Sequence, residues 1–561
     1  MMTVPKLLTR CAFLRAIAGT IVAGATAGSL NSSCAAQRET TSSPAAPGDD
    51  SDADIDSLLG ELEAKVEAGM QEYGIPGVAL GLLHQGTDYI RGYGVTNVDS
   101  PQQVDGGTLF RIGSTTKTFT GTAVMRLVEQ GKLDLDATVQ NYLPDFVTSD
   151  PSVAPRVTLR QLLNHSPGWL GDYYESTGRG DDALAKYVAE IARLPQLTPL
   201  GEVFAYNNAA IDLAGRLIEV VTGSTYEEAV RELVLDPLGL SHTRFFTDEI
   251  VGFKVAASHN IADDGEPVVD TSFWEIPRSL HPTGGLISSV RDQLRYASFH
   301  LGDGRAPDGT RLLTSESLVA MRSDPGPGGT LVVELDGMGV TWMLRPSAEG
   351  VRIVQHGGNW QGQNSGFIMV PERGFALTVL TNSDGGPKLL AQLFADDWAL
   401  RRFAGVSNLP AEPRTLTQAE LAPYEGRYIS LAIDKTGAVM ETEWEIKADN
   451  GRLHVTERVT ERESIDVPIP GDPTDVAETE DTPTVETRLA FYRDDYALVY
   501  DDSGEPTFSR VNFLRGADGG VACVRSGGRL YRHQGVSGGL PETGGPDSVG
   551  DLLGQLIRRL L

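Results

Sequence analysis

The chain has very little cysteine, with only three residues of this type among 561. Cys11 and Cys34 lie in an N-terminal stretch that has the features of an export signal. Removal of that stretch would leave Cys523 without an intrachain partner. Stabilisation by a disulfide framework is therefore excluded for the mature chain, which must rely on a hydrophobic core, and its length allows a sizeable one.

Positive charge is also scarce, and lysine most of all, with nine residues in the chain. The 47 lysines and arginines face 76 acidic residues, which gives a formal net charge of −29. Such a surface repels nucleic acid, so we predict no nucleic-acid partner. It is similar to the surfaces of proteins from salt-loving microbes, in which dense salt screens the repulsion between like charges. The composition predicts an acidic, halophilic protein with a high-salt optimum.

The N-terminus contains an apolar stretch, residues 16–30, that is too short to span a membrane comfortably. It follows three basic residues and no acidic one, which predicts an export signal over residues 1–36. Residues 9–15 are similar to a twin-arginine signal with Cys11 in place of the second arginine, a degenerate match. We expect an exported protein, extracellular or associated with the cell surface. Lipid modification of Cys34 would tether it to the membrane, and cleavage two residues later is the alternative.

The composition divides the rest of the chain into four segments. Residues 37–56 are rich in Ser, Thr, Pro and Asp and predict a disordered acidic linker. Residues 57–405 mix helical and strand patterns. Short strand patterns over 415–534 predict a small all-β accessory domain, either a barrel or a sandwich, with a solvated acidic loop at about 467–485. Residues 535–561 predict a Gly-rich linker and an amphipathic C-terminal helix that docks on the body, with membrane contact or self-association as the alternatives.

The first motif with catalytic potential is Ser114-Thr-Thr-Lys117, which opens an apolar run with helical spacing that ends at Gly131. Residues three apart on a helix share a face, so Lys117 can reach the Ser114 hydroxyl. A partly desolvated lysine can activate a serine as a nucleophile, and a helix N-terminus favours the developing oxyanion. On its own this tetrad is typical of a solvated helix start, so its meaning depends on the other motifs.

The second motif is Tyr206-Asn-Asn208, which precedes an amphipathic helical run closed by Gly223. A tyrosine near a lysine can be drawn toward phenolate and relay protons. Asn208 can orient the lysine and a substrate carbonyl. The alternative interpretation is a buried tyrosine followed by an asparagine N-cap.

The third motif is His356-Gly-Gly358-Asn359, which follows a strand-like run at 351–355 and precedes a predicted hairpin at 365–380. Glycines after a strand allow a substrate to approach the backbone closely. Taken alone, a histidine beside two glycines is more typical of a turn.

Together these motifs resemble those of the penicillin-recognising serine hydrolases, which comprise the serine β-lactamases, the D-alanyl-D-alanine peptidases and the related class C-like carboxylesterases and D-aminopeptidases. Further segments extend the resemblance over residues 57–405: 157–168 is similar to the family's LLxHTSG segment, 236–240 to its PLGM turn, 282–289 to its GGLxSS segment, and 381–382 to the end of its LTN strand. The resemblance implies an α/β (α+β) fold, in which an antiparallel sheet flanked by helices meets an all-helical subdomain and the site lies between them.

The resemblance also assigns roles to individual residues. It implies that Ser114 is the acylated nucleophile, Lys117 its base or proton relay, and Tyr206 a second acid or base. The backbone N–H groups of Ser114 and Asn359 would form the oxyanion hole. The expected substrate-binding residues are Asn208, His356, Gly358 and Asn359. No metal and no cofactor are implied.

His356 stands where many members of the family have the lysine of a K-T-G motif. A lysine there supplies a fixed positive charge for a substrate carboxylate, whereas histidine is only partly charged near neutral pH. We therefore expect a carboxylesterase-like enzyme that acts on a small ester or amide. The alternatives are a β-lactamase, a D-alanyl-D-alanine carboxypeptidase or a D-aminopeptidase, with lactams or D-peptides as substrates. A non-catalytic ligand-binding relative is the alternative of another class, although it would not need Ser114, Lys117, Tyr206 and Asn208 together.

Two other motifs carry no predicted function. Residues 535–539 fit a G-x-S-x-G nucleophile elbow, but no histidine follows them to complete a triad. Residues 52–63 partly fit a calcium loop, but Ser57 occupies the position that requires glycine.

Overall fold

The structure of the protein is a computed structural model that describes four stretches of the chain: residues 55–271, 274–462, 485–501 and 504–534. The predicted export signal, acidic linker, acidic loop, Gly-rich linker and C-terminal helix lie outside the described residues or almost entirely so, and they stay predictions. The same holds for the G-x-S-x-G segment. Among the described helices, none combines the length and the apolar character needed to cross a membrane.

A seven-stranded antiparallel sheet forms the centre of the larger domain. Its strands are β1 Gly77–His84, β2 Thr87–Gly94, β3 Gly337–Met338, β4 Met343–Arg345, β5 Ile353–Trp360, β6 Gln363–Val370 and β7 Phe375–Thr381. Their order across the sheet is β2-β1-β7-β6-β5-β4-β3. Strands β6 and β7 are buried along their whole length, as expected for strands that are covered on both faces. They form the hairpin that the sequence predicted, with a tight turn at Pro371–Arg373.

Helices pack on both faces of this sheet. The α-helices of the described residues, not all of which contact the sheet, are α1 Ile55–Glu72, α2 Thr116–Glu129, α3 Leu159–Leu163, α4 Ala183–Glu190, α5 Asn208–Thr222, α6 Tyr226–Val230, α7 His281–Gly284, α8 Val290–Leu301, α9 Ser315–Ala320, α10 Gly386–Leu390, α11 Trp398–Ala404 and α12 Gln418–Leu421. Strand β1 shows how the two faces are divided, because its residues alternate between them. Val78 and Leu80 pack in the core with α1 and α11, whereas Ala79 and Leu83 pack in the core with α2, α5 and α8.

The C-terminal domain is a closed, eight-stranded antiparallel barrel. Its strands are β8 Gly426–Ile433, β9 Val439–Asp449, β10 Arg452–Arg462, β11 Val485–Arg493, β12 Tyr496–Tyr500, β13 Pro506–Arg515, β14 Val521–Ser526 and β15 Arg529–His533. Each strand pairs with the next, and pairing of β8 with β15 closes the barrel. Aromatic side chains such as Tyr428, Trp444 and Phe513 fill its interior. The sequence left a barrel and a sandwich open, and the structure is a barrel. The predicted combination of a β-lactamase-like α+β domain and an all-β domain is confirmed.

The barrel is joined to the larger domain by main-chain hydrogen bonds. Ile433, the last residue of β8, accepts a bond of 2.9 Å from the Tyr174 nitrogen and donates one of 2.8 Å to the Asp172 carbonyl. On another strand of the barrel, the Arg510 nitrogen donates to the Val332 carbonyl over 3.0 Å. Ile433 is fully buried in the main hydrophobic core. The barrel is therefore fixed to the larger domain by hydrogen bonds and by a shared hydrophobic core, and it is not a loosely attached module.

Candidate active site

Ser114 lies in the middle of a single 3-10 turn that leads directly into α2. The turn begins at Gly113, whose φ of +48° is in the left-handed region, and a Cβ there would lie 2.6 Å from the Asn359 nitrogen. A Cβ on Gly358 would lie 2.5 Å from the Ser114 nitrogen. Both positions need glycine because the backbone of β5 runs directly against the turn that carries Ser114. The predicted oxyanion-hole donors, Ser114 and Asn359, consequently belong to two backbones in contact.

Lys117 occupies the first turn of α2 and is completely buried. Its Nζ donates to Ser114 Oγ at 2.8 Å and to the carbonyl oxygen of Thr283 at 3.0 Å. Burial holds the pKa of the Lys117 amine well below its usual value, while the carboxyl of Asp212 acts in the opposite direction. A lysine with a depressed pKa can accept a proton, and this one is in contact with the hydroxyl that has to lose one.

Tyr206 lies at the end of the loop before α5, and a hydrogen bond joins its hydroxyl to that of Ser114. Lys117 Nζ lies 5.0 Å from the centre of the Tyr206 ring. Burial raises the pKa of Tyr206 to about 12, and the bond from Ser114 together with the charge of Arg529 works against that rise. Tyr206 is therefore a phenol at neutral pH, placed where it can pass a proton to or from the nucleophile.

His165 packs against one face of the Tyr206 ring. The two rings are stacked, with centroids 4.6 Å apart and planes inclined by 16°. His165 Nδ1 accepts a hydrogen bond of 2.8 Å from the Asn207 nitrogen, so the imidazole also fixes the next residue along the chain. Burial lowers the pKa of His165 well below its usual value and keeps the ring neutral. In the sequence this residue is visible only as part of the segment at 157–168.

Asn208 is the first residue of α5 and lines the cavity beside Ser114. Its Nδ2 donates to Asp172 Oδ1 at 2.9 Å and to the Tyr174 hydroxyl at 2.8 Å. Within the described part of the chain its Oδ1 has no hydrogen-bond partner, although it is buried. The sequence led us to expect an asparagine that orients Lys117, whereas in the structure its amide nitrogen is hydrogen-bonded to Asp172 and Tyr174. The amide oxygen therefore keeps its capacity to accept a hydrogen bond.

His356 is completely buried in β5, and its ring is not part of the cavity wall formed by the described residues. Its Nδ1 lies 2.7 Å from the Gly357 carbonyl oxygen. Burial, together with the charge of Lys117, lowers the pKa of His356 to about 3. The expectation of a partly charged histidine is wrong, because at neutral pH this imidazole is uncharged. The two glycines that follow lie inside the strand and not after it, since β5 continues to Trp360.

Asp212 is a buried carboxyl that sequence reasoning missed. It lies on α5, and its Oδ1 accepts a bond of 2.7 Å from the Thr283 hydroxyl. Burial raises the pKa of Asp212 to about 8, while its bond from Thr283 and the charge of Lys117 lower it. In the sequence Asp212 lies on the polar side of the predicted helix, one turn from Asn208 and from Arg216, so nothing there marks it as buried. In the structure it is buried, which is costly for a carboxyl without partners, and it interacts with the Thr283 hydroxyl and with the charge of Lys117.

A cavity of about 310 Å³ opens beside these groups. Its lining includes Ser114, Tyr206 and Asn208 together with Gly358 and Asn359. The remainder is mainly apolar and is lined by Leu331, Val333, Met343, Leu390 and Phe394, among others. Among the described residues, no group of three or more His, Cys, Asp or Glu side chains is placed to hold a metal ion.

The antiparallel sheet with helices on both faces and the Ser-Lys-Tyr cluster at the cavity define a serine hydrolase of the β-lactamase fold. The β-lactamase family profile matches residues 62–400, and the chain belongs to this family. Members of the family are serine hydrolases that act on small amides, esters or lactams. The resemblance on which the sequence analysis rests is confirmed.

Several known proteins are similar to this chain over most of their length. Penicillin-binding protein 4 of Amycolatopsis lactamdurans is 35% identical over 373 residues, which cover 65% of this chain and 96% of the relative. Unguisins hydrolase ungD of Aspergillus violaceofuscus is 27% identical over 460 residues, 72% of this chain and 80% of the relative. The crystal structure of SurE with D-Leu superimposes with a TM-score of 0.61 at 25% identity and covers 85% of this chain and 100% of that one.

Proposed function

We propose that the protein is a serine hydrolase that cleaves a small ester or amide through an acyl-enzyme on Ser114, in the manner of a carboxylesterase. The observation that carries this proposal is the distance of 2.8 Å between Lys117 Nζ and Ser114 Oγ, together with complete burial of the lysine. A buried Lys–Ser contact is costly unless it serves a purpose, because the amine loses most of its solvation.

The reaction follows from the positions of the groups. Ser114 Oγ attacks the substrate carbonyl, and the adjacent Lys117 amine accepts its proton. The N–H groups of Ser114 and Asn359 stabilise the negative oxygen that forms in the transition state. Tyr206, hydrogen-bonded to Ser114, donates a proton to the leaving alcohol or amine. Water then attacks the acyl-enzyme, and the same groups act in reverse to release the acid.

The electrostatics of the cavity favour an uncharged substrate. His356 is neutral, with a pKa of about 3. Two guanidinium groups reach the cavity wall, but Arg529 is paired with Asp172, and Arg345 donates to main-chain carbonyls, one of them that of Phe394 at 2.8 Å. Because Asp172 neutralises Arg529, and Arg345 is buried and held by carbonyl oxygens, a substrate carboxylate gains little, and the apolar lining suits an alkyl or aryl acyl group.

A second candidate class is an amide or peptide with a D-configured residue. The structure of SurE, a relative that matches most of this chain, was solved with D-Leu, and a leucine side chain fits an apolar wall of this kind. Because the chain is similar to penicillin-binding protein 4 of Amycolatopsis lactamdurans, lactams and D-alanyl peptides are further candidate substrates.

The test is hydrolysis of neutral, short-chain p-nitrophenyl esters by the wild type in molar salt, beside Ser114→Ala. Ser152→Ala, which changes an exposed serine outside the cavity, is the matched control. We expect turnover in the wild type and the control and none in Ser114→Ala. Turnover of D-amino-acid anilides or a chromogenic lactam in place of esters would select the second candidate. If the folded wild type hydrolyses none of these substrates, the remaining interpretation is that the protein is a non-catalytic, ligand-binding relative.

We also propose that the protein is exported. This rests only on the sequence of residues 1–36, with a tether through Cys34 or through the C-terminal helix as an added element. Expression with and without residues 1–36, followed by cell fractionation and mass determination of the new N-terminus, tests the proposal. Retention of both forms in the cytoplasm would reject it.

A further inference from the structure

The turn between the last two strands of the barrel enters the candidate active site. Its residues Gly527 and Gly528 have φ values of +54° and +75°, which glycine adopts without strain. The Gly528 carbonyl accepts a hydrogen bond of 2.8 Å from the Tyr206 nitrogen. A Cβ on Gly528 would lie 3.0 Å from the Cβ of Tyr206. The barrel is therefore in direct contact with the residue expected to move the proton.

Arg529, the next residue, brings a charge to the same place. Its Nε donates to Asp172 Oδ2 at 2.9 Å, and its second terminal nitrogen donates to Oδ1 at 3.2 Å. The guanidinium carbon lies 4.8 Å from the centre of the Tyr206 ring. The side chains of Arg529 and Asp172 are 17% and 5% exposed, so the pair is largely withdrawn from water. Ion pairs with this two-point geometry fix direction as well as distance.

Asp172 links this arginine to the other side of the cavity. Its Oδ1 also accepts bonds from Asn208 Nδ2 and from the Tyr174 hydroxyl. Tyr206 and Asn208 stand at the two ends of the three-residue motif before α5. Both are thus held by one network that begins in the barrel: Tyr206 by the Gly528 carbonyl and the guanidinium face, and Asn208 through Asp172.

We propose that Arg529 is a positioning residue of the hydrolase site and that the barrel completes this site by fixing Tyr206 and Asn208. This inference rests on the proposed function, because it assigns Arg529 to the machinery that serves Ser114. Arg529 acts through Asp172 and the Tyr206 ring and does not need to touch the substrate. Its charge also opposes the effect of burial on the pKa of Tyr206. A substrate carboxylate would have to displace Asp172 from a buried two-point pair, which argues against a role as an anion-binding group.

The experiment uses the full chain and a neutral p-nitrophenyl ester, with Arg529→Gln and Arg529→Lys as variants. We expect kcat to fall roughly tenfold or more in Arg529→Gln with little change in KM, because a misplaced Tyr206 affects the transition state more than ground-state binding. Arg529→Lys keeps the charge but loses the planar two-point contact, so its kcat should lie between the two.

The barrel offers a matched control in Arg515→Gln. Arg515 also makes a two-point pair with an aspartate, Asp495, at 2.9 and 2.7 Å, and its guanidinium carbon lies 5.6 Å from the centre of the Tyr424 ring. Neither Arg515 nor Asp495 lines the cavity. This control should keep the kcat and KM of the wild type. If Arg529→Gln is unstable because Asp172 is left alone, the double variant Asp172→Asn/Arg529→Gln removes both charges, and we expect it to fold and to stay slow.

The outcomes separate this inference from the proposed function. A wild type without turnover would overturn both. An active wild type with an unchanged kcat in folded Arg529→Gln would overturn the positioning role alone. Normal turnover of neutral esters by Arg529→Gln, combined with a raised KM for substrates that carry a carboxylate, would replace it by an anion-binding role.

Discussion

Replacement of Gly358 by alanine tests directly how closely strand β5 has to approach the nucleophile. A Cβ at this position would lie 2.1 Å from the Ile112 carbonyl oxygen, 2.5 Å from the Ser114 nitrogen and 2.9 Å from the Gly113 carbonyl carbon. Ordinary contacts of a Cβ begin at 3.4 Å, and all three neighbours are backbone atoms that cannot rotate away. The strand and the turn would have to separate by roughly 1 Å, a displacement that costs about 100-fold in rate when it misplaces reacting groups.

We therefore expect kcat/KM of Gly358→Ala for the neutral ester to fall about 100-fold, which corresponds to about 2.7 kcal/mol of transition-state stabilisation. Overpacking of this kind also lowers the free energy of unfolding by about 1–3 kcal/mol. Initial-rate measurements give the first quantity and urea unfolding gives the second. Gly357→Ala is the matched control, since its Cβ would meet only the Ser365 carbonyl oxygen, at 3.1 Å, and it should change both quantities much less.

The result that would refute this reasoning is a folded Gly358→Ala with near-wild-type kcat/KM. It would mean that the backbone of β5 can withdraw from Ser114 without consequence, and that the N–H of Asn359 is not needed near the oxyanion. An equal loss of activity in Gly357→Ala would instead point to general sensitivity of the strand.

Three further predictions concern charge. Lys117→Met should remove turnover while the free energy of unfolding at pH 7 is kept or raised, because an apolar side chain of similar length replaces a buried amine; a variant that still turns over would contradict the role of Lys117. Burial raises the pKa of Glu227, but hydrogen bonds from His281 and Arg278 outweigh burial and lower this pKa to about 2. The ionised Glu227 therefore stabilises the fold above pH 4.5 by roughly 3 kcal/mol, and this contribution disappears as the pH falls toward 2. Urea unfolding between pH 7 and 3 should show a weaker pH dependence for Glu227→Gln, and equal slopes would exclude it. The unfolding free energy should also rise from dilute buffer to molar salt, since the net charge is −29; full stability and activity in dilute buffer would reject a halophilic character.

The helices that carry the site could be predicted because their signals are local. The apolar spacing after Ser114 and the glycine at 131 predict a helix, and α2 runs over Thr116–Glu129 with Gly131 at φ +68°. The run before Gly223 behaves in the same way, since α5 ends at Thr222 and Gly223 adopts φ +74°. In both cases the local pattern and the tertiary packing favour the same structure, so the pattern is sufficient.

Strand β5 shows where local signals fail. Two glycines after an apolar run indicate the end of a strand, yet Gly357 and Gly358 pair with Gly366 and Ser365 of β6 and the strand continues. The reason is tertiary: the turn at Gly113 packs against this part of β5 and leaves no space for a Cβ. A sequence pattern cannot show that a residue is small because another segment, more than 240 positions away, lies on top of it.

The Arg529–Asp172 pair could not be predicted for a similar reason. The two residues are 357 positions apart, and each is an ordinary surface type in its own segment. They meet only because the barrel closes through β8 and β15 and because the end of β8 bonds to the segment around Asp172. The sequence predicts the all-β domain, but no motif within it points to Arg529. A group of site residues that is divided between two domains produces no local sequence motif.

The neutral His356 and the paired Arg529 have a common consequence for substrate choice. At the position where a K-T-G lysine would place a free charge, this chain has an imidazole that stays uncharged to about pH 3. Two arginines line the cavity: Arg529 comes from the barrel and Asp172 neutralises its charge in place, whereas Arg345 belongs to β4 and is held by main-chain carbonyls. A substrate would therefore meet a cation that orients Tyr206 but offers no net attraction to a carboxylate. On this basis we expect neutral esters and amides to be turned over faster than otherwise identical substrates that carry a carboxylate, and a preference for the anionic member of such a pair would show that a substrate can take the place of Asp172 at Arg529.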